Sequence, residues 1–202
     1  MKIIEGIKNK GAPFIIPDCS RDDLPEFFKE MGYTVGAEIG VYKGEFTEKF
    51  CKAGLKMYGI DPWHSYSGAG RASKDQARQE FLYQHTQRTL TPYNDCTIIR
   101  KTSMDAVPWF KDRSLDFVYI DGDHNFKHVA QDIYEWTWKV RLGGVVAGHD
   151  YFTTNPRARN LICHVGPVVD AYIKVFGIKN WYIFGRDDKS DGYALSWFWI
   201  RE

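Results

Sequence analysis

The stretch from Val35 to Thr47 reads V-G-A-E-I-G-V-Y-K-G-E-F-T. A short apolar run (Val35, Ala37, Ile39) reaches a glycine turn at Gly40, and a second glycine, Gly44, opens a helix carrying Phe46, Phe50 and Cys51. This spacing predicts a strand–turn–helix unit, with glycine where the backbone bends tightly or approaches a neighbour closely. It is not the dinucleotide fingerprint G-x-G-x-x-G, because Glu38 stands where that pattern has its first close-approach glycine. A carboxylate beside the loop is a poor host for pyrophosphate and suits a cationic ligand better.

Upstream, Met1 to Asp18 reads as an arm with an extended piece from Pro13 to Pro17. Ser20 caps a helix with Asp22 and Asp23 in its first turn, an apolar face of Leu24, Phe27, Phe28 and Met31, and Gly32 at its end. Downstream, Lys56 to Ile60 reads as the second strand, ending at Asp61-Pro62-Trp63. An acid at that strand tip, about 20 residues past the glycine turn, is where α/β nucleotide folds hold ribose hydroxyls. His64 to Arg71 reads as a polar lid loop, and Ser73 to Leu90 as a helix with Ala77, Phe81 and Leu82 inward. Thr97 to Arg100 is a third strand, followed by the polar turn Thr102-Ser103-Met104-Asp105.

Ser114 to Ile120 is a fourth strand, apolar enough to be central, and it ends in Asp121-Gly122-Asp123-His124. A helix follows with Val129, Ile133, Trp136 and Val140 at helical spacing. Gly143-Gly144 then turns into a fifth strand, Val145 to Ala147, ending at Gly148-His149-Asp150-Tyr151. Thr153 to Asn160 reads as a loop over the site and Val165 to Phe176 as the last helix. Trp181 to Phe184 and Ala194 to Ile200 are closing strands joined by the turn-rich G-R-D-D-K-S-D-G.

Strands alternating with helices require a mostly parallel sheet with right-handed crossovers. The expectation is an α/β, Rossmann-like doubly wound sheet of seven strands in the order 3-2-1-4-5-7-6, with a C-terminal antiparallel hairpin. One domain covers residues 1–202: an N-terminal arm and helix (1–33), a core (35–151), and a lid loop, last helix and closing hairpin (152–202). The 202 residues are 44% hydrophobic and carry a formal charge of +1, so no large basic field points to nucleic acid or a membrane surface. The four cysteines are far apart and form no C-x-x-C pair. Reduced thiols and a cytoplasmic setting are therefore expected. No apolar run suits a signal peptide or a membrane span. A small-molecule acceptor is the expected partner, and a homodimer is an assembly the chain leaves open.

Ligands of such sheets bind outside the carboxyl ends of the strands. Glu38, Asp61, Ser103, Asp121, His124, His149 and Asp150 all fall at or just beyond a strand's carboxyl end. Beside Glu38, S-adenosylmethionine, with its sulfonium and ammonium charges, fits better than a dinucleotide. Asp121 and Asp150 end neighbouring strands, and two close carboxylates repel unless a cation lies between them or one keeps a proton. Oxygen ligands suit Mg²⁺, whereas His149 suits Mn²⁺, Fe²⁺ or Zn²⁺ better. His124, in the first turn of its helix, is expected to have a depressed pKa and to accept a substrate proton. His128, one turn on, is the second candidate. His64, His85 and His164 join no such group.

G-A-E-I-G-V-Y-K-G, G-I-D-P-W, T-S-M-D, F-V-Y-I-D-G-D-H and G-G-V-V-A-G-H-D-Y together resemble a class I S-adenosylmethionine-dependent methyltransferase. The nearest likeness is to metal-dependent small-molecule O-methyltransferases, of the catechol and caffeoyl-coenzyme A type and of the macrolide sugar type. The resemblance implies that Glu38, Gly40, Tyr42 and Gly44 line the methionine part of the donor and that Asp61 holds the ribose. It places Ser103 and Met104 at the adenine, Asp121 as a metal ligand touching the donor site, and His124 as catalytic base. With His149 and Asp150 completing a site for Mg or Mn, it implies O-methylation of a sugar or phenol hydroxyl. The catechol type has Asp-Asn and the sugar type two acids where this chain has His149-Asp150. The alternative is an inactive S-adenosylmethionine- or nucleoside-binding module or partner subunit. A nicotinamide-dependent oxidoreductase is disfavoured by Glu38.

Overall fold

The computed structural model describes residues 1–65, 75–152, 163–185 and 194–202. Most of the expected lid (66–71), the loop Thr153 to Asn160 and the hairpin connection after Gly185 lie outside the described residues. In chain order the strands are β1 (Phe14–Ile16), β2 (Val35–Ile39), β3 (Lys56–Ile60), β4 (Cys96–Ile99), β5 (Leu115–Ile120), β6 (Val140–Tyr151), β7 (Trp181–Phe184) and β8 (Leu195–Ile200). The helices are α1 (Ile3–Gly6), α2 (Leu24–Glu30), α3 (Glu45–Lys52), α4 (Gln76–Leu90), α5 (Ser103–Ala106), α6 (Phe126–Lys139) and α7 (Val165–Phe176).

The strands form one sheet in the order β1-β7-β8-β6-β5-β2-β3-β4. From β4 to β7 this is the expected order, parallel except where β8 runs antiparallel to β6 and β7. The count of seven is corrected to eight by β1, which pairs parallel with β7 through Phe14↔Tyr182. Three residues between Pro13 and Pro17 read as extended chain, but nothing so short declares a partner.

Each face of the sheet buries its own core. Ala37, Ile39, Val118 and Ile120 join Ile133, Trp136 and Val169 on one face. Met57, Phe117 and Tyr119 join Phe27, Phe28 and Phe50 on the other. This is the alternation expected of strands covered on both sides. The rings of Phe28 and Phe117 stack 4.1 Å apart, fastening the N-terminal helix to the central strand. Burying one such side chain contributes about 2–3 kcal/mol.

Two local readings change. Val140 begins β6 instead of closing α6: its backbone is extended (φ −80°, ψ 136°) and it pairs with Leu115. Ala77 and Phe81 (59%) are exposed, and α4 instead turns Gln79, Leu82, Thr86 and Leu90 inward. The buried stripe has helical spacing but two of its four members are polar, so hydropathy does not mark it. Thr86 is inside because its hydroxyl donates to the Tyr42 carbonyl at 2.9 Å.

Candidate active site

The turn after β2 is seated on the end of β5. Gly40 has φ +90°, and a Cβ built there would lie 2.1 Å from the Asp121 carbonyl oxygen. Only glycine fits both the left-handed backbone and the approach. Gly40 N–H donates to the Ile60 carbonyl at 2.9 Å and Asp121 N–H to the Ile39 carbonyl at 2.8 Å. The tips of β2, β3 and β5 thus meet at one point. Beyond it, Tyr42 holds φ +54° and exposes its ring, and Gly44 (φ +79°) starts α3. A non-glycine residue in that region stores strain that its surroundings must hold.

Asp61 supplies part of that hold. Its Oδ2 accepts the Val41 and Tyr42 N–H groups, both at 3.0 Å, and its Oδ1 accepts the Trp63 N–H at 2.8 Å. Burial pushes its pKa up, against these backbone bonds. Three of a carboxylate's roughly four acceptor positions are thereby engaged by the turn, leaving about one for another donor.

Glu38 is 2% exposed, and the Thr47 hydroxyl donates to its Oε2. Burial holds its carboxyl well above the usual range, with Asp121 adding to the effect and Thr47 and Arg21 opposing it. Burial thus disfavours the charged form expected at this position.

Across the sheet, Asp150 has φ +60° and receives two imidazoles. His124 Nε2 lies 2.8 Å and His149 Nδ1 3.5 Å from Asp150 Oδ2. Burial acts to raise the Asp150 pKa, but the bonds and charges of both histidines hold it well below the usual carboxylate range. Burial and then Asp150 raise the Asp121 pKa, against His149, Arg21 and His124. The His124 pKa is raised, contrary to expectation: burial lowers it, but the hydrogen bond and charge of Asp150, followed by Asp121 and Asp123, outweigh that. His149, almost fully buried, is also raised, against burial, by Asp150 and Asp121. The Trp197 indole on β8 donates to the His149 carbonyl at 3.0 Å and braces this strand end.

Ligand-capable atoms of Asp121, His124 and Asp150 all lie within 4.8 Å of one another. This compact group includes His124, while the expected ligand His149 lies with its Nδ1 3.5 Å from Asp150 Oδ2. Two carboxylates and an imidazole at that spacing fit a divalent cation, and the nitrogen suits Mn²⁺ or Zn²⁺ as well as Mg²⁺. His128 is engaged elsewhere, its Nδ1 lying 2.7 Å from Asp123 Oδ2.

At the start of α5, the Ser103 hydroxyl donates to Asp132 Oδ1 at 2.5 Å and accepts the Trp136 indole N–H at 2.7 Å. Met104 is half-buried against the core. Asp132 is 5% exposed, and burial pushes its carboxyl up to about 6. The sequence reading missed Asp132, although an acid interrupting the apolar stripe Val129–Ile133–Trp136 was a usable signal. It also missed Arg21, whose Nη1 lies 3.2 Å from Asp121 Oδ2 across 100 positions of sequence, for which no local signal exists.

A family model described as a methyltransferase domain matches residues 37–151. An uncharacterized protein, y4gI, of Sinorhizobium fredii is 25% identical over 119 residues, 56% of this chain and 12% of that protein. The match thus spans only a small part of that relative. Among solved structures, an O-methyltransferase from Bacillus cereus in complex with SAH has a TM-score of 0.65 at 13% identity, covering 90% of this chain and 80% of that one. The N-methyltransferase NodS from Bradyrhizobium japonicum has 0.60 at 11%, covering 90% and 95%. An rRNA methylase from Streptococcus thermophilus has 0.59 at 13%, covering 88% and 93%. At these identities the likeness establishes the fold, and the three names differ in acceptor. Among the described residues no helix is long and apolar enough to cross a membrane.

Proposed function

Because the chain belongs to the methyltransferase domain family, with the class I fold, we propose that it is an S-adenosylmethionine-dependent O-methyltransferase. The proposed acceptor is a hydroxyl on a small molecule, a sugar or a phenol. One observation carries the reading: Glu38, Asp121, His124 and Asp150 converge beside the Gly40 turn, at the carboxyl ends of adjacent strands. Acids beside a glycine turn fit the cationic donor, which when bound supplies an electrophilic methyl group on sulfur.

The chain's own task is to position and to move one proton. The Gly40 turn, braced by Asp61, shapes the donor bay, and Glu38 and Asp121 offer carboxyl oxygens to an ammonium. His124 is bonded to Asp150 through Nε2, which leaves Nδ1 to take the proton of the acceptor hydroxyl. Asp150 fixes the ring and stabilises the imidazolium that results. Orienting a hydroxyl in line with the methyl group can supply up to about 7–11 kcal/mol of barrier reduction.

The compact trio Asp121, His124 and Asp150 favours a second reading of the same site, in which these side chains hold a divalent cation. A bound cation would lower the pKa of the acceptor hydroxyl. A chelator that abolishes turnover, with recovery on adding Mn²⁺ or Mg²⁺, selects that reading. Chelator-insensitive turnover selects the His124–Asp150 pair acting alone.

The primary test is incubation with methyl-labelled donor and a panel of hydroxylated sugars and phenols. Label transfer is expected to at least one of them. S-adenosylhomocysteine, but not NAD, should raise the melting temperature. A protein that binds neither the donor nor its product refutes the proposal.

A further inference from the structure

Among the described residues, Arg21 is a charged side chain at the site that the proposed reaction does not employ. It enters from the short helical turn Arg21–Asp23, ahead of α2. Its Nη1 is 3.2 Å from Asp121 Oδ2, and the guanidinium carbon lies 5.2 Å from the centre of the Phe46 ring on α3. Its charge is felt at Glu38 and at the buried Tyr119. The side chain is 25% exposed, and the Tyr119 hydroxyl also bonds to it.

The inference rests on the donor proposed above and asks which part of that donor this cation meets. S-adenosylmethionine ends in an α-amino acid head, which holds an ammonium and a carboxylate on one carbon. Such a zwitterion needs an acid and a base side by side in its site. Asp121 and Arg21 are such a pair, 3.2 Å apart, next to Glu38 and the Gly40 turn. A guanidinium has five N–H donors in a planar fork, so it can keep one edge on Asp121 while presenting another to a second carboxylate. Its seat over Phe46 fixes the plane of that fork.

We propose that Arg21 binds the α-carboxylate of the donor while Asp121 receives the α-ammonium. The N-terminal segment then reads the amino-acid half of the molecule.

The test is calorimetric titration of wild type and R21Q with S-adenosylhomocysteine and with its decarboxylated analogue, which keeps the amine and lacks the carboxylate. In wild type, loss of the carboxylate should weaken binding by roughly 10- to 100-fold, as expected of a charge-assisted pair. R21Q should lose a similar factor for S-adenosylhomocysteine and bind both ligands alike. R21K, which keeps the charge without the fork, should fall between. Comparing two ligands on one variant cancels any general damage from the substitution. The proposal is overturned if R21Q still separates the two ligands as wild type does, or if it weakens both by the same factor. Wild type binding neither ligand would instead overturn the donor assignment beneath it.

Discussion

Replacing Asp132 with Asn should stabilise the protein increasingly as the pH rises. Asp132 is almost fully buried, and burial pushes its carboxyl up to about 6 from a reference of 3.8. In the folded state the neutral form is favoured, so between these values the unfolded chain releases a proton that the folded chain retains. Stability is therefore lost as the pH climbs through this window, and the loss is complete above about 6. At 1.36 kcal/mol per pKa unit, the interval from 3.8 to about 6 corresponds to about 3 kcal/mol at pH 7.5 and to about 1 kcal/mol at pH 4.5. Asn keeps an acceptor for the Ser103 hydroxyl but never carries the charge. The stability difference between D132N and wild type should thus shift by about 2 kcal/mol in favour of the variant between pH 4.5 and 7.5. Urea unfolding of both proteins at both pH values measures it, and titrating groups that do not interact with Asp132 cancel in the double difference. In melting temperature the shift is about 4–8 °C for a chain of this size. A difference that stays constant within about 0.5 kcal/mol, or moves the other way, refutes the assignment of a neutral buried acid; that margin is small beside the expected 2 kcal/mol.

Gly40→Ala should destabilise by more than about 3 kcal/mol, because the new methyl group meets a fixed carbonyl and the backbone lies at positive φ. Denaturant midpoints check this, and a wild-type midpoint would sink it. His124→Ala should lower kcat by about 10²–10⁴-fold while S-adenosylhomocysteine binding, read by calorimetry, changes little. An unchanged kcat would move the base elsewhere. Thr47→Val removes the hydroxyl that donates to Glu38 and should cost about 1–3 kcal/mol in thermal unfolding, the usual cost of a buried polar group left unpaired. No loss would mean that Glu38 draws nothing from this bond.

What the sequence made legible was whatever is local. Val35 to Ile39 followed by Gly40 announced a strand and a tight turn, and the apolar run at Leu115 to Ile120 announced a central strand. Connection rules then ordered seven of the strands. The acids and imidazoles at the strand tips followed, because a parallel sheet collects those tips on one edge. What stayed hidden is decided by partners distant in sequence. The His124 pKa was expected to fall because it sits at a helix start, yet Asp150 on another strand reverses the sign. Arg21 reads as an ordinary first-turn residue until the fold carries it to Asp121. Ala77 and Phe81 were expected inward with Leu82, but the inward face of α4 also takes Thr86, whose hydroxyl donates to the Tyr42 carbonyl.

The seating of Gly40 on Asp121 makes the floor of the bay a junction of main chain with main chain. Side-chain substitution elsewhere has little purchase on such a floor, so a lineage could drift widely in sequence and still keep it. Diversification toward new acceptors is left to the rim.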